Sequence, residues 1–310
     1  FDEDLQQDWN WSERFATQPE ILAYANHVAE RFDLKRDIQF DTTIASAYFD
    51  QATQGWTLTT DAGETIHSRF CVMATGCLSA ARDPEIAGAG RFAGEIYRTG
   101  DWPHHPVDLG GKRVAVIGTG SSAIQAIPEL AKQAGHLHVF QRTPNFSVPA
   151  KNAALTPDYV ASWKDDYPAL RKRAREETRS GTIYEFAVKS ALAATPEERE
   201  AEYQRRWDKG GANFMHAYND LVVDEQSNRT AAEFVHRKIR ETVKDPRTAE
   251  LLSPKDYPIF TKRICVDTDY FATFNRDNVT LVDIKSDPIL EITRSGLRTA
   301  AAQFDFDVLV

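Results

Sequence analysis

The chain has 310 residues, 42% hydrophobic and 27% charged, with a net charge of −9, enough for one large or two ordinary domains with real cores. The acidic balance argues against a nucleic-acid partner, and no apolar run approaches the ~20 residues of a membrane span. Cys71, Cys77 and Cys265 have no zinc-like spacing, the eight histidines form no HExxH pattern, and no signal peptide is recognisable at Phe1; no metal site is expected, and the thiols read as small packed residues in a reducing cytoplasm.

In chain order, residues 8–15 read as a loop. Thr17 and Glu20 then suggest a capping box around Pro19. Ile21, Leu22, Tyr24, Ala25, Val28 and Phe32 follow at helical spacing, which predicts one face turned to a core. Ile38 to Phe49 reads as a strand, and Trp56 to Thr60 with Thr65 to Met73 as a hairpin around Asp61-Ala62-Gly63, together a small antiparallel sheet. The segment ends in the small-residue turn Ala74-Thr75-Gly76.

The run Lys112 to Ile117 breaks into Gly118-Thr119-Gly120-Ser121-Ser122-Ala123-Ile124-Gln125, which reads as strand, phosphate turn and helix. Two glycines permit a tight turn and close backbone approach to a pyrophosphate, and a small Ala123 lets helix pack on strand. A GxGxxA alone fits a plain loop as well. The next strand, Leu137 to Phe140, follows at the βαβ distance and turns the reading to dinucleotide binding. That strand ends in Gln141-Arg142-Thr143, where an NAD site usually carries an acid. A guanidinium beside a hydroxyl suits a 2′-phosphate, so NADP is expected rather than NAD; a solvated surface arginine is the bland alternative.

From Pro149 to Arg240 the chain is charged and helical, clearest over Leu155 to Leu170, Pro196 to Trp207 and Ala231 to Val243. The Arg171 to Arg175 cluster, followed at once by Glu176 and Glu177, reads as a solvated helix face, and Trp163 and Trp207 as packing anchors. Lys262 and Arg263 stand together at the start of an apolar segment, and by charge alone they could be surface residues. Val279 to Leu281, Ile289 to Thr293 and Leu297 to Thr299 read as short strands with a Ser295-Gly296 turn, and Phe306 to Val310 as a further strand.

One stretch ties these pieces together. Phe92-Ala93-Gly94-Glu95-Ile96-Tyr97-Arg98-Thr99-Gly100-Asp101-Trp102-Pro103 resembles the Baeyer-Villiger monooxygenase fingerprint, Phe-x-Gly-x-x-x-His-x-x-x-Trp followed by Pro. Phe92, Gly94 and Trp102 match, and Arg98 departs from it where the family has histidine. Trp9-Asn10-Trp11, Gln18-Pro19-Glu20, Phe140 to Pro144 and Asn275 to Val279 extend the resemblance over nearly the whole chain, closest to the phenylacetone monooxygenase branch.

The resemblance implies an α/β flavoprotein with two dinucleotide-binding domains: part of an FAD domain at 1–78 and a connector at 79–106. A Rossmann-like NADP domain would follow at 107–303, with a helical insertion at about 150–255, and 304–310 would start the strand returning to the FAD domain. It implies an internal piece of a longer enzyme, lacking the first FAD glycine motif and the return. The activity implied is FAD- and NADPH-dependent insertion of one oxygen atom of O2 beside a ketone carbonyl, giving an ester or lactone. Lys262 would join Arg142 and Thr143 at the NADP 2′-phosphate, Arg263 would be the active-site arginine, and Ile44 would offer its backbone to the FAD adenine. Two alternatives are a flavin-containing monooxygenase oxidising amines or sulfides, and an NADP-binding fragment without activity. The particular ketone and the oligomeric state are not legible.

Overall fold

Of the 310 residues, the computed structural model describes 2–76, 78, 84–178 and 181–310; Cys77 and residues 79–83 of the expected connector lie outside the described residues. The chain divides into two units, Phe1–Asp83 with Ala154–Asp165, and Pro84–Ala153 with Asp166–Val310. The connector from Pro84 onward and residues 304–310 thus fall in the second unit.

The first unit holds helices α1 (Glu3–Asp8) and α2 (Gln18–Arg31) and an antiparallel meander of β1 (Ile44–Asp50), β2 (Gly55–Thr60) and β3 (Thr65–Ser68). The capping box expected at α2 does not form: Thr17 makes no side-chain cap bond. Glu20 instead accepts from the backbone N–H and the hydroxyl of Ser12, both at 2.7 Å, two bonds in place of the one a capping box would give it. Nor does α2 bury any residue; Tyr24 packs against Trp9 and Trp11 at 5.1 and 5.0 Å, while Ile21 and Leu22 stay half exposed. Leu34–Asp37 forms a 3-10 turn, and Asp41 takes a φ of +51° that interrupts an extended run, so the first strand starts six residues later than its composition suggests. β3 ends at Ser68 because its partner does: Ser68 sits opposite Trp56, next to the first residue of β2.

The second unit is built on a parallel sheet in the order β4-β13-β5-β6-β9. These strands are β4 (Glu95–Ile96), β5 (Arg113–Ile117), β6 (His136–Gln141), β9 (Val279–Asp283) and β13 (Val308–Leu309). Val114, Ala115 and Val116 are at most 1% exposed, as expected of a strand covered on both faces. Helix α3 (Ser121–Gln133) crosses from β5 to β6 and buries Ile124, Ile127 and Leu130 against it. β7 (Ser147–Pro149) pairs in parallel with β8 (Cys265–Asp267), and β10 (Ile289–Ile292), β11 (Gly296–Thr299) and β12 (Gln303–Asp305) form a second antiparallel sheet.

The predicted helix over Leu155 to Leu170 is two helices. α4 (Pro157–Lys164) is stitched to the first unit by Leu155 N–H to the Ser12 carbonyl at 2.9 Å and Lys164 Nζ to the Gln7 carbonyl at 2.7 Å. α5 (Tyr167–Glu176) restarts because Asp166 caps the Ala169 N–H and Pro168 has no N–H to continue the earlier helix. The Arg171 to Arg175 cluster lies on α5, where Arg173 and Arg175 pair with Glu177 and Glu176 on the solvent side. α6 (Pro196–Lys209), α7 (Glu225–Thr242), α8 (Pro246–Leu252) and α9 (Tyr270–Thr273) complete the unit. Trp207 packs edge-on against Phe214 and Phe234. Among the described residues, no helix is long and apolar enough to cross a membrane, and no group of three or more His, Cys, Asp or Glu is placed to hold a metal.

Candidate nucleotide site

Gly118 leaves β5 with a φ of +103°, a conformation that any side chain would strain, and its N–H closes on the Phe140 carbonyl at 2.9 Å. Gly120 is the N-cap of α3 and supplies no capping side chain. Nothing lies within 4 Å of a Cβ built at either glycine. The first N–H groups of α3 therefore face an open cradle whose partial positive charge favours an anion. Thr119, Ser121, Ser122, Ala123, Ile124 and Gln125 follow on this turn and the first turns of the helix, with Ile124 buried. Cys265, in β8, is buried and its thiol is pushed up by that burial, partly offset by a hydrogen bond with Ser121, which seats β8 beside the start of α3.

The strand-end loop after β6 is latched to this turn. The Thr119 hydroxyl donates to the Thr143 carbonyl at 3.1 Å, and Asn145 Nδ2 donates to the Thr119 carbonyl at 2.6 Å. The Gln141 side chain points elsewhere, donating to the Leu251 carbonyl at 2.8 Å, and leaves Arg142 exposed at the strand end. The loop carrying Lys262 and Arg263 reaches the same place through Tyr257. Its hydroxyl donates to the Pro144 carbonyl at 3.0 Å and lies 3.2 Å from Asn145 Oδ1, and Lys262 Nζ stands 4.2 Å from its ring centroid.

The base of that loop is held by Asn228, whose Nδ2 donates to the Ile259 carbonyl at 2.7 Å. Phe260 adopts a φ of +73°, strained for a bulky residue. Among the described residues, no carboxylate forms an ion pair with Arg142, Lys262 or Arg263; all three are exposed. In a chain of net charge −9, such cations are available to a bound anion. The structure thus brings the glycine turn, Arg142, Thr143 and Lys262 into one latched group. Asn145 and Tyr257, which hold it together, carry no sequence signal except the Pro144-Asn145 pair that breaks the chain just after the strand.

The fingerprint runs along the same unit. A Cβ on Gly94 would lie 2.4 Å from the Asp307 carbonyl oxygen and 2.6 Å from the Phe92 ring, so only glycine fits where β4 meets β13. Trp102 packs on the Tyr97 ring at 5.3 Å and lines a groove of about 520 Å³ with Ser122, Gln125 and Glu129 of α3. Arg98 starts a tight turn, its carbonyl accepting from the Asp101 N–H at 3.0 Å. Ile44 opens β1 in the first unit, opposite Thr60, and is 45% exposed.

Residues 2–179, more than half of the chain, match the family described as pyridine nucleotide-disulphide oxidoreductase. The chain is 37% identical to cyclohexanone 1,2-monooxygenase of Acinetobacter sp, with 100% of this chain and 57% of the relative covered. It superposes on oxidised steroid monooxygenase bound to NADP with a TM-score of 0.96 and 49% identity, covering 100% of this chain and 59% of that one. The crystal structure of OTEMO in complex with FAD and NADP gives 0.95 and 38%, covering 98% and 58%. The chain therefore spans a little over half the length of these relatives. The expected α/β fold and the Baeyer-Villiger resemblance are both borne out. A parallel sheet with its crossover helix, an uncapped glycine turn and a match over more than half the sequence together place the chain in the pyridine nucleotide-disulphide oxidoreductase family.

Proposed function

We propose that this chain supplies the NADPH-binding domain and part of the FAD domain of a Baeyer-Villiger monooxygenase, which inserts one atom of O2 beside a ketone carbonyl to give an ester or lactone. The observation that carries the reading is the uncapped start of α3 latched to a strand end bearing Arg142 and Thr143 where an NAD site would have an acid. Similarity to cyclohexanone 1,2-monooxygenase, a ketone-named relative, supports the reaction class. Bound NADPH would supply the hydride and bound FAD the activation of oxygen.

The chain's own residues bind and orient. The N–H groups after Gly118 take the pyrophosphate, and Arg142, Thr143 and Lys262 take the 2′-phosphate. The Ile44 backbone, at the exposed start of β1, would offer a contact to the adenine of bound FAD. Arg263 keeps its charge at any working pH and presents a planar donor fork, so it stabilises negative charge developing on oxygen without giving up a proton. The Arg98 turn, between β4 and β5 of the sheet, helps set the position of the nucleotide. Free Cys71 and Cys265 go with a cytoplasmic setting.

Titration of the chain with NADPH and NADH tests the reading. Arg142→Ala should weaken NADPH by about 1.5–3 kcal/mol, the worth of a charged hydrogen bond, and leave NADH unchanged; equal losses for both would overturn it. In the flavin-loaded enzyme, Arg263→Ala should still bind NADPH and fail to make ester, and an unchanged ester yield removes that assignment. Arg98→His should raise the ester formed per NADPH consumed. A constant ratio of ester to hydrogen peroxide would make Arg98 a tolerated departure from the fingerprint.

A further inference from the structure

We propose that Tyr257 is a positioning residue for NADP(H), with its ring and its hydroxyl doing separate jobs; the inference rests on the reading of Lys262 as a partner of the 2′-phosphate. Lys262 is exposed and has four rotatable carbons, so by itself it would sample many positions. The ring of Tyr257 confines it: the ammonium stands 4.2 Å from the centroid, within the range of a cation-π contact. Phe146 supports the ring edge-on at 5.6 Å.

The hydroxyl acts on different atoms. It donates to the Pro144 carbonyl and sits 3.2 Å from Asn145 Oδ1, while the amide of the same Asn145 donates to the Thr119 carbonyl in the glycine turn. Burial raises the phenol pKa to about 12, so the hydroxyl remains a donor throughout the working range. One side chain thereby couples the phosphate-reading lysine to the pyrophosphate turn. The ring should govern the choice between NADPH and NADH, and the hydroxyl the affinity for both.

Binding of NADPH and NADH to Tyr257→Leu, Tyr257→Phe, Lys262→Ala and the Tyr257→Leu/Lys262→Ala pair tests this, with circular dichroism as a check of folding. Tyr257→Leu should lower the NADPH preference about two- to fivefold, the size of a cation-π contact at an exposed site, and should add nothing to that ratio once Lys262 is gone. Tyr257→Phe should keep the preference and weaken both nucleotides alike. Should Tyr257→Leu fail to fold, Tyr257→Phe decides: unchanged affinity for both nucleotides overturns the proposal. An NADPH preference unaltered by Tyr257→Leu, or lowered equally with and without Lys262, overturns it too. If Lys262→Ala itself leaves the preference intact, the reading of Lys262 fails instead, which separates the two outcomes.

Discussion

In the second unit Leu221, Phe234 and Ile239 are at most 1% exposed, whereas in the first unit only Leu5 and Thr60 are buried among the described residues, and Ile21, Leu22, Phe70 and Val72 are 51–86% exposed. Both units carry apolar residues at regular spacing. The nucleotide-binding unit closes its own core around α3, α6 and α7, while the first unit presents an apolar helix face and an apolar segment after β3 that the described residues do not cover. Periodicity therefore reports that a face needs cover, and says nothing of which residues provide it.

The sharpest test of this contrast is a pair of truncations. Phe234→Ala, in the cluster with Tyr203, Trp207 and Phe214, should cost about 3–5 kcal/mol. Ile21→Ala should cost under about 1 kcal/mol. Urea unfolding followed by hydrogen exchange reports each unit separately, and similar costs would break the comparison.

A smaller effect comes from pH. His138 lies against the rings of Phe304 and Phe306 at 5.6 and 5.5 Å, its Nδ1 buried without a partner among the described residues. Burial, and then the neighbouring His136, hold its pKa down to about 4. An unfolded histidine titrates near 6.5, so the folded state resists the proton: the stability is fully present above about pH 6.5 and is lost as pH falls toward 4. Discounted for the water that still reaches the ring, the loss is about 1–2 kcal/mol. His138→Phe should flatten the stability profile across that window in thermal unfolding, and an unchanged slope would assign it to other groups.

The smallest effect compares two caps. Thr195 forms a complete capping box with Glu198 at the start of α6, and Thr195→Ala should cost about 1 kcal/mol. Thr17 makes no such bond at α2, so Thr17→Ala should cost only a few tenths of a kcal/mol. Paired denaturant melts check it, and a larger loss at Thr17 would mean that α2 is capped in solution.

What was legible in the sequence was what local physics decides. Gly118 must take a positive φ, and Arg142 stands where a βαβ unit ends, so the turn, and the expectation of NADP rather than NAD, follow from a few adjacent residues. Thr17 misled because the partner that draws Glu20 away, Ser12, lies in what reads as a loop. Tyr257 and Asn145 were silent because their contact spans 112 residues of chain, and nothing in either residue type announces it. The division at Asp165-Asp166 was half visible, in the pair of acids ahead of Pro168, but the assignment of α4 to the first unit depends on contacts with Gln7 and Ser12.

The position of β13 carries a consequence for how the molecule is made. Val308 and Leu309 pair with β4 on one side and β5 on the other, and Asp307 forks onto the Arg113 guanidinium across 194 residues. During synthesis β5 emerges early and must wait with an unpaired edge, a template for wrong pairing, until residues beyond 305 leave the ribosome. The strand that delivers the chain into Gly118 is then one of the last to be flanked on both sides. A nascent chain should acquire its grip on the dinucleotide late and abruptly, as that long loop closes.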